Sequence, residues 1–567
     1  MTPEAREARL QAAVRDGVEI VILGGGVNGA GLFRDLCLQG VPCLLVDRGD
    51  WASGTSAAPS RLIHGGIKYL ETGELGLVAQ STLERNLLLR NAPHLVEPLP
   101  TVIPIFSWTK GIGAALRTLF GSTTAPRARG ALLIEVGLWL YDLYGTRARV
   151  MPRHRFWSRS RALREFPALT PSIVAAGTYW DARITQPERL VMELVEDGLA
   201  ACQGSAAVTY AILVSADGGE LRFKRGEGAP FAVRPLIVAN AAGPWIDAVN
   251  ATLGVGGRLI GGTRGSHVVL DHPELVRQLN GRMIYFEADG GRICLVFDYL
   301  GKALAGSTDI PDRDPDRVRA TDEEVAYILQ SLRALFPALA IGPEQVVHVY
   351  SGIRPLPASG ASNPGLISRD HSAPVAEPAP GRPFAVVSLV GGKWTTFRGF
   401  AEEVADAVLG RLGRARRLPT RDEAIGGGHG FPTGEARADW IADTVHSTGL
   451  DPARIGELLA RYGTTARAVA AHRGRWMDAD RLPDSRSYSR AEIDWIVREE
   501  GAMHLADVVM RRTSLAVTGS LTARDLDAVA EVTALALGWA ETRTRAEIEA
   551  VRARLEGAHR MRLAGAV

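Results

Sequence analysis

Cysteine is scarce. The 567 residues hold four, Cys37, Cys43, Cys202 and Cys294, without C-x-x-C spacing. This argues against a disulfide framework and a zinc site, and makes a reducing cytoplasm the expected compartment. An excess of one charge is lacking too. Against 65 Lys+Arg stand 63 Asp+Glu, for a formal net charge of +2, so no global field supports a nucleic-acid partner. No run approaches the roughly 20 apolar residues of a membrane-spanning helix. The N-terminal MTPEAREARLQAAVRDG has no apolar core and does not read as a signal peptide. With 46% hydrophobic and 23% charged residues, the chain is expected to be globular, multidomain, and either soluble or held at a surface.

What is present begins at Val18, with VEIVILGGGVNGAGLFRDLCLQGVPCLLVDRGD. A β-branched run ends in Gly24, Gly26 and Gly29 at G-x-G-x-x-G spacing. A helical pattern follows, Gly40 stops it, and a second apolar run closes on Asp47. This is a βαβ dinucleotide unit. The glycines permit the tight turn, the approach of a pyrophosphate to backbone and close helix packing, while the acid accepts from ribose hydroxyls. Gly24, Gly26, Asn28, Gly29, Asp47 and Arg48 are the first candidate cofactor contacts. The chain then runs irregularly, RGDWASGTSAAPSRLIHGG, where a plain NAD domain would continue as regular α/β units. That favours FAD, whose ring needs a protein-built cage, and adds Thr55, Ser56, Ser60, Leu62, His64, Gly65 and Gly66. Two distant stretches complete the nucleotide fold: RPLIVANAAGPWIDAVN, with Ala242, Gly243 and Trp245, and PFAVVSLVGGKWTTFRG, with Gly391, Gly392, Lys393 and Thr395. A substrate domain is expected between them.

In ILGGGVNGAG, SRLIHGGIKYLE, APHL, NAAGPW, RGSHVVL, GSTDI, YSGIRPL, ISRD and GGKWTTFR the sequence resembles the FAD-dependent glycerol-3-phosphate dehydrogenases, over almost the whole chain. The resemblance implies oxidation of a polyol phosphate at a secondary alcohol, foremost sn-glycerol 3-phosphate to dihydroxyacetone phosphate, with hydride passing to the flavin and electrons onward to a membrane quinone. One departure stands out. HGGIKYL places Lys68 where the family commonly has Arg beside the substrate phosphate, and the two cations are not interchangeable there. A four-carbon substrate such as erythritol phosphate and dioxygen as acceptor in an oxidase are the alternatives within the class; a flavin-binding or membrane-docking protein without turnover is the alternative outside it.

Hydride transfer requires a positioned carbon, a proton acceptor and positive potential near the reduced ring. His64 and His267, each beside glycine or an apolar run, are the candidate bases, and the choice between them stays open. A phosphate dianion needs several charge-assisted donors; Arg354, Arg369, Lys68 and Arg61 are the candidates, and the resemblance implies that Arg354 and Arg369 lie near flavin and substrate. Tyr69 is a candidate for orienting the substrate hydroxyl. Lys393, with Gly391 and Gly392 at a helix start, would stabilise charge on the flavin.

The expected fold is α/β: an FAD-binding Rossmann-like domain with an inserted mixed-sheet substrate domain, plus a C-terminal α-helical domain. The expected boundaries are an N-terminal extension (1–17), three FAD-binding pieces (18–105, 176–250, 346–415), an insert (106–175), a substrate-domain antiparallel sheet (251–345), a linker (416–434) and the helical domain (435–567). Capping boxes predict helix starts at Ser81/Glu84, Thr321/Glu324, Ser489/Glu492 and Thr544/Glu547, with a stop at Gly538. Basic and aromatic residues with few acids across 106–145 are compatible with helical core or with a membrane-surface element, and the helical tail with dimerisation or docking.

Overall fold

A computed structural model describes residues 1–70, 74–108, 131–144, 151–288, 291–358 and 369–565, apart from the side chains of Lys68, Leu132, Leu133 and Tyr144. The short apolar runs become the buried strands of a six-stranded sheet. Its order is Val375–Ala376, Ala385–Ser388, Ile237–Asn240, Ile20–Leu23, Cys43–Val46 and Ala206–Val208. All pairings are parallel except at the Val375–Ala376 edge. Helices Val27–Leu38, Pro187–Ala201 and Phe397–Arg411 supply apolar residues that pack with the sheet's own side chains. Parallel strands covered this way read as continuous apolar runs.

The second sheet has ten strands and carries the antiparallel run Thr263–Leu270, Met283–Ala288, Arg292–Tyr299 and Lys302–Gly306. Strands Val96–Ile105, Ala175–Ile184 and Val346–Arg354 also belong to it, although their sequence positions had suggested the nucleotide fold. Their long register with one another and with Thr263–Leu270 decides the matter, because strand partners are set by pairing and not by neighbourhood in the chain. Arg354 therefore ends a strand of the second sheet.

Two helix starts differ from expectation. The helix after the irregular segment spans Leu75–Asn91, so Ser81 and Glu84 are interior. Ser81 accepts from Lys393 and Glu84 pairs with Arg398 at 2.6 and 2.9 Å. The last helix begins at Glu541, and Glu547 accepts from the Leu505 amide and pairs with His504. In both cases the residues upstream continue the helix, so the capping pattern marks no boundary. The Thr321/Glu324 box forms as expected, Ser489 caps Arg490–Glu499, and Gly538 ends Ala523–Leu537 in the left-handed region. Helices from Ala436 to His559 build a separate core. Among the described residues no helix is long and apolar enough to cross a membrane.

Candidate active site

Both sheets, the irregular segment and the helical domain border one cavity of about 1200 Å³. That exceeds the roughly 300–1,000 Å³ of ordinary small-molecule sites. At one end lies the glycine turn. A Cβ on Gly29 would stand 1.9 Å from Gly24 O, and one on Gly24, at φ +111°, 2.5 Å from Ala241 O. Asp47 closes the second strand and accepts from the Gly25 and Gly49 amides at 2.6 and 2.8 Å. Burial nevertheless pushes its carboxyl up to about 6. The irregular segment winds back over this turn. Ser56 Oγ accepts from the Val27 amide at the start of the Val27–Leu38 helix, Thr55 donates to Ile353 O, and Trp394 Nε1 donates to Ser56 O. Asn28 Nδ2 reaches Gly391 O at 3.3 Å, while its Oδ1 is buried without a partner among the described residues. Gly391 and Gly392, at φ +72° and +88°, precede the turn into Phe397–Arg411. This cradle, free of Cβ atoms where backbone segments meet and lined by amides at two helix starts, fits a dinucleotide.

Of the expected cofactor residues, Gly24, Gly26, Asn28, Asp47, Arg48, Thr55, Ser56, Ser60, His64, Ala242, Gly243, Trp245, Gly391, Gly392 and Lys393 line the cavity. Others act behind the wall. Gly29 packs on Gly24, Leu62 is buried among Leu99, Val269 and Phe297, and Thr395 Oγ1 accepts from the His64 amide. Gly65, another candidate contact, does not border the cavity. Its near neighbours are Thr82 and Tyr141, and its amide donates to Tyr141 Oη and Asp181 at 3.0 Å each. A Cβ on Gly66 would meet the Tyr69 ring and Lys393 Nζ. Arg48 stacks 4.2 Å from the Trp245 ring centroid, with Asp316 bonded to both side chains.

At the other end cations converge. Arg354 donates to Thr308 O, Asp309 and Ser307 Oγ, each at 3.1 Å, and Arg369 donates to the second oxygen of Asp309. Burial pushes Arg354 down to about 10, Arg369 adding to the effect, and it stays charged at neutral pH. Lys393 Nζ lies 3.0 Å from Ser81 Oγ and 3.7 Å from the Tyr69 ring centroid. Burial, with Arg369 assisting, brings this amine down to about 7 against the pull of Glu74. His64 and His267 are both pushed down to about 3, first by burial, then by Lys393 and Arg369 at His64 and by Arg354 and Arg61 at His267. Both are neutral imidazoles. Geometry separates them: His267 Nε2 is 2.8 Å from Ser60 Oγ, its Nδ1 is buried, and its ring stacks on Tyr350. His64 has no ring-nitrogen partner among the described residues and faces the cavity beside Tyr69.

Arg61 borders the cavity as well, but its guanidinium forms a buried two-point pair with Glu188, at 2.9 and 3.2 Å, between the rings of Tyr299 and Tyr350, so its charge is already balanced within the wall. Glu188→Gln would leave that charge unpaired; about 3–5 kcal/mol of stability should be lost, which denaturant unfolding of the holoprotein measures. The Lys68 side chain lies outside the described residues. Reading the sequence missed the group that organises the cations, Asp309, although it sits in the quoted GSTDI. It also missed Arg85, Asp181 and Tyr141, which are joined at 2.6–3.1 Å behind Gly65. Among the described residues no three His, Cys, Asp or Glu are grouped to hold a metal.

A dinucleotide cradle sharing one cavity with a cationic pocket defines a flavin-type oxidoreductase site. Residues 19–407 match the family model for FAD dependent oxidoreductase, and residues 418–544 that for the C-terminal domain of alpha-glycerophosphate oxidase, so the chain belongs to the FAD-dependent oxidoreductases. Its curated relatives include the glycerol-3-phosphate dehydrogenase of Synechocystis sp., 32% identical with 88% of this chain and 89% of the relative covered. Glycerol-3-phosphate dehydrogenase 1 of Mycobacterium tuberculosis is 31% identical, with 93% and 96% covered. Among solved structures, a Bacillus halodurans glycerol-3-phosphate dehydrogenase complexed with FAD superposes with a TM-score of 0.75, at 22% identity and 98% coverage of both chains. The FAD-bound L-alpha-glycerophosphate oxidase of Mycoplasma pneumoniae gives 0.50 at 18% identity, covering 69% of this chain and 94% of its own.

Proposed function

We propose that this protein oxidises the secondary alcohol of a small polyol phosphate, sn-glycerol 3-phosphate, to the ketone, dihydroxyacetone phosphate, and delivers the electrons to a quinone. The observation that carries the reading is the convergence of Arg354, Arg369 and Lys393 on the cavity that also holds the glycine turn. The glycine turn and Asp47 would hold the pyrophosphate and ribose of FAD, which would supply a hydride acceptor for the carbinol carbon. Arg354 and Arg369, bridged by Asp309, present a rigid pair of donor forks to the phosphate dianion. Tyr69 and neutral His64 orient the hydroxyl. Lys393 accepts its proton, because its proton affinity is matched to neutral pH while the two histidines hold theirs far below it. His267, tied to Ser60, acts as a wall residue.

Arg354→Ala is expected to lower kcat/KM by about 2 kcal/mol, roughly 30-fold, the scale of one charged hydrogen bond. Unchanged steady-state kinetics would remove Arg354 from the phosphate site. Anaerobic bleaching of the flavin, with glycerol 3-phosphate and erythritol phosphate offered in parallel, tests the whole reading. Bleaching by the three-carbon phosphate supports it, preference for the four-carbon one moves the substrate, and bleaching by neither rejects it.

A quinone acceptor is supported by exposed apolar groups: Val136, Trp139 and Leu143 on one face of helix Ala131–Tyr144, and Trp108 with Phe156, whose ring centroids lie 6.3 Å apart. Apolar groups in such a patch mark a contact surface, here with the cytoplasmic face of a membrane. Residues 109–130 of the expected surface element lie outside the described residues. Rapid turnover with dioxygen and none with a soluble quinone would make the protein an oxidase.

A further inference from the structure

The loop leaving the Cys43–Val46 strand is held from the far end of the chain. Asp50, three residues past Asp47, is buried and accepts from Arg511 Nε at 2.6 Å and from Arg512 Nη1 and Nη2 at 2.8 Å each. Neighbouring side chains on an α-helix diverge. Arg511 and Arg512 reach one carboxylate from a π-helical turn, Val508–Arg512, a rare geometry that recurs at functional sites. Asp507 bonds to Arg511 and accepts the Tyr210 hydroxyl at 2.5 Å. Tyr210 is held at φ +55°, strained for a side-chain-bearing residue, and its amide donates to Gly49 O in the same loop. From the Pro187–Ala201 helix, Arg189 donates to Glu500 at 2.6 and 3.2 Å and to Arg512 O. Asp50, Asp507 and Glu500 thus balance Arg189, Arg511 and Arg512 in one buried network across the two halves of the protein. Burial raises the Asp50 carboxyl, and Arg512 and Arg511 more than reverse that, leaving it below the usual carboxylate range. Meanwhile Asp47, Arg48, Gly49, Ser53, Thr55 and Ser56 in or beside the loop line the cofactor cavity.

We propose that the C-terminal helical domain is part of the FAD-holding apparatus: Arg511 and Arg512, acting through Asp50, fix the residue 48–56 loop in its cofactor-binding shape. This rests on the placement of FAD at the glycine turn proposed above. Asp50, Arg511 and Arg512 are positioning residues, and the coupling is reciprocal. FAD tightens docking of the helical domain by the same factor that docking tightens FAD.

The test uses the full chain with and without FAD. In the native protein, amide exchange across 505–515 should slow when FAD binds. In Asp50→Asn that difference should vanish and the FAD Kd should rise roughly 5–150-fold, the range of coupled sites. A stability control comes from Asp525→Ala, which removes a buried carboxylate that accepts from the Asp484 amide at 2.9 Å inside the helical domain. It should lower Tm and leave the FAD Kd unchanged. A native Kd in folded Asp50→Asn overturns the coupling. So does exchange at 505–515 that ignores FAD in the native chain, a measurement that needs no variant. Gly29→Ala separates the two ideas: if it keeps FAD, the placement fails and the coupling with it, whereas FAD loss there with Asp50→Asn unaffected sinks the coupling alone.

Discussion

Lys393→Met is expected to lower kcat/KM by roughly 10²–10⁴-fold, the usual contribution of a positioned general base, and to remove the acid limb of its pH profile near 7. The amine is buried, lies above the Tyr69 ring, and has its proton affinity brought down to about 7. Below that pH it is charged and takes no proton from a substrate hydroxyl; above it the lone pair is free. The rate constant should therefore rise with pH through about 7 and level off, since kcat/KM reports the free enzyme. A substrate phosphate titrates near 6, and its limb should persist in the variant. Lys393→Arg divides the two roles of this residue. A permanent cation still attracts phosphate and does not accept a proton, so KM should stay near native while kcat falls. If the limb at 7 survives in Lys393→Met and disappears in His64→Asn, the histidine is the acceptor.

Gly29→Ala is expected to raise the FAD Kd by about 100-fold or more, near 3 kcal/mol, and to give colourless protein on purification. The added Cβ would meet a backbone oxygen at 1.9 Å and the Ala241 methyl at 3.1 Å, so no rotamer change relieves the clash. Either the Val27–Leu38 helix lifts off the strand or the turn opens, and both pull its amides from the pyrophosphate. Gly76→Ala is the control, because nothing lies within 4 Å of the Cβ it adds. Bound flavin per chain, read from absorbance after gel filtration, distinguishes the two. Native flavin content in Gly29→Ala would remove this turn from the cofactor site.

The glycine turn, its helix and the terminal acid were legible because each is local: a strand, a sharp turn and a helix N-terminus leave a signature within thirty residues. Arg354 and Lys393 were legible for a related reason, as each is a cation placed against an apolar strand or a glycine pair. Arg61 misled. In sequence it is one more cation beside His64, and only the Pro187–Ala201 helix, more than a hundred residues on, supplies the Glu188 that neutralises it. Ser81 and Thr544 misled because a capping pattern is written identically at a helix start and inside a helix.

The sequence by itself determined the kind of cofactor, the α/β class, the helical tail and a pool of charged residues from which the site is drawn. These rest on spacing, period and residue type, which act over a few turns of chain. Only the tertiary structure decided which cations remain available. Electrostatic pairing in a low-dielectric interior is set by distance in space: Asp309 gathers Arg354 and Arg369, Glu188 occupies Arg61, and Asp50 draws in two arginines from some 460 residues away. Burial, too, is a property of the assembled fold. It brings Lys393 to neutral pH and holds His64, His267, His348 and His559 uncharged, and no stretch of sequence records it.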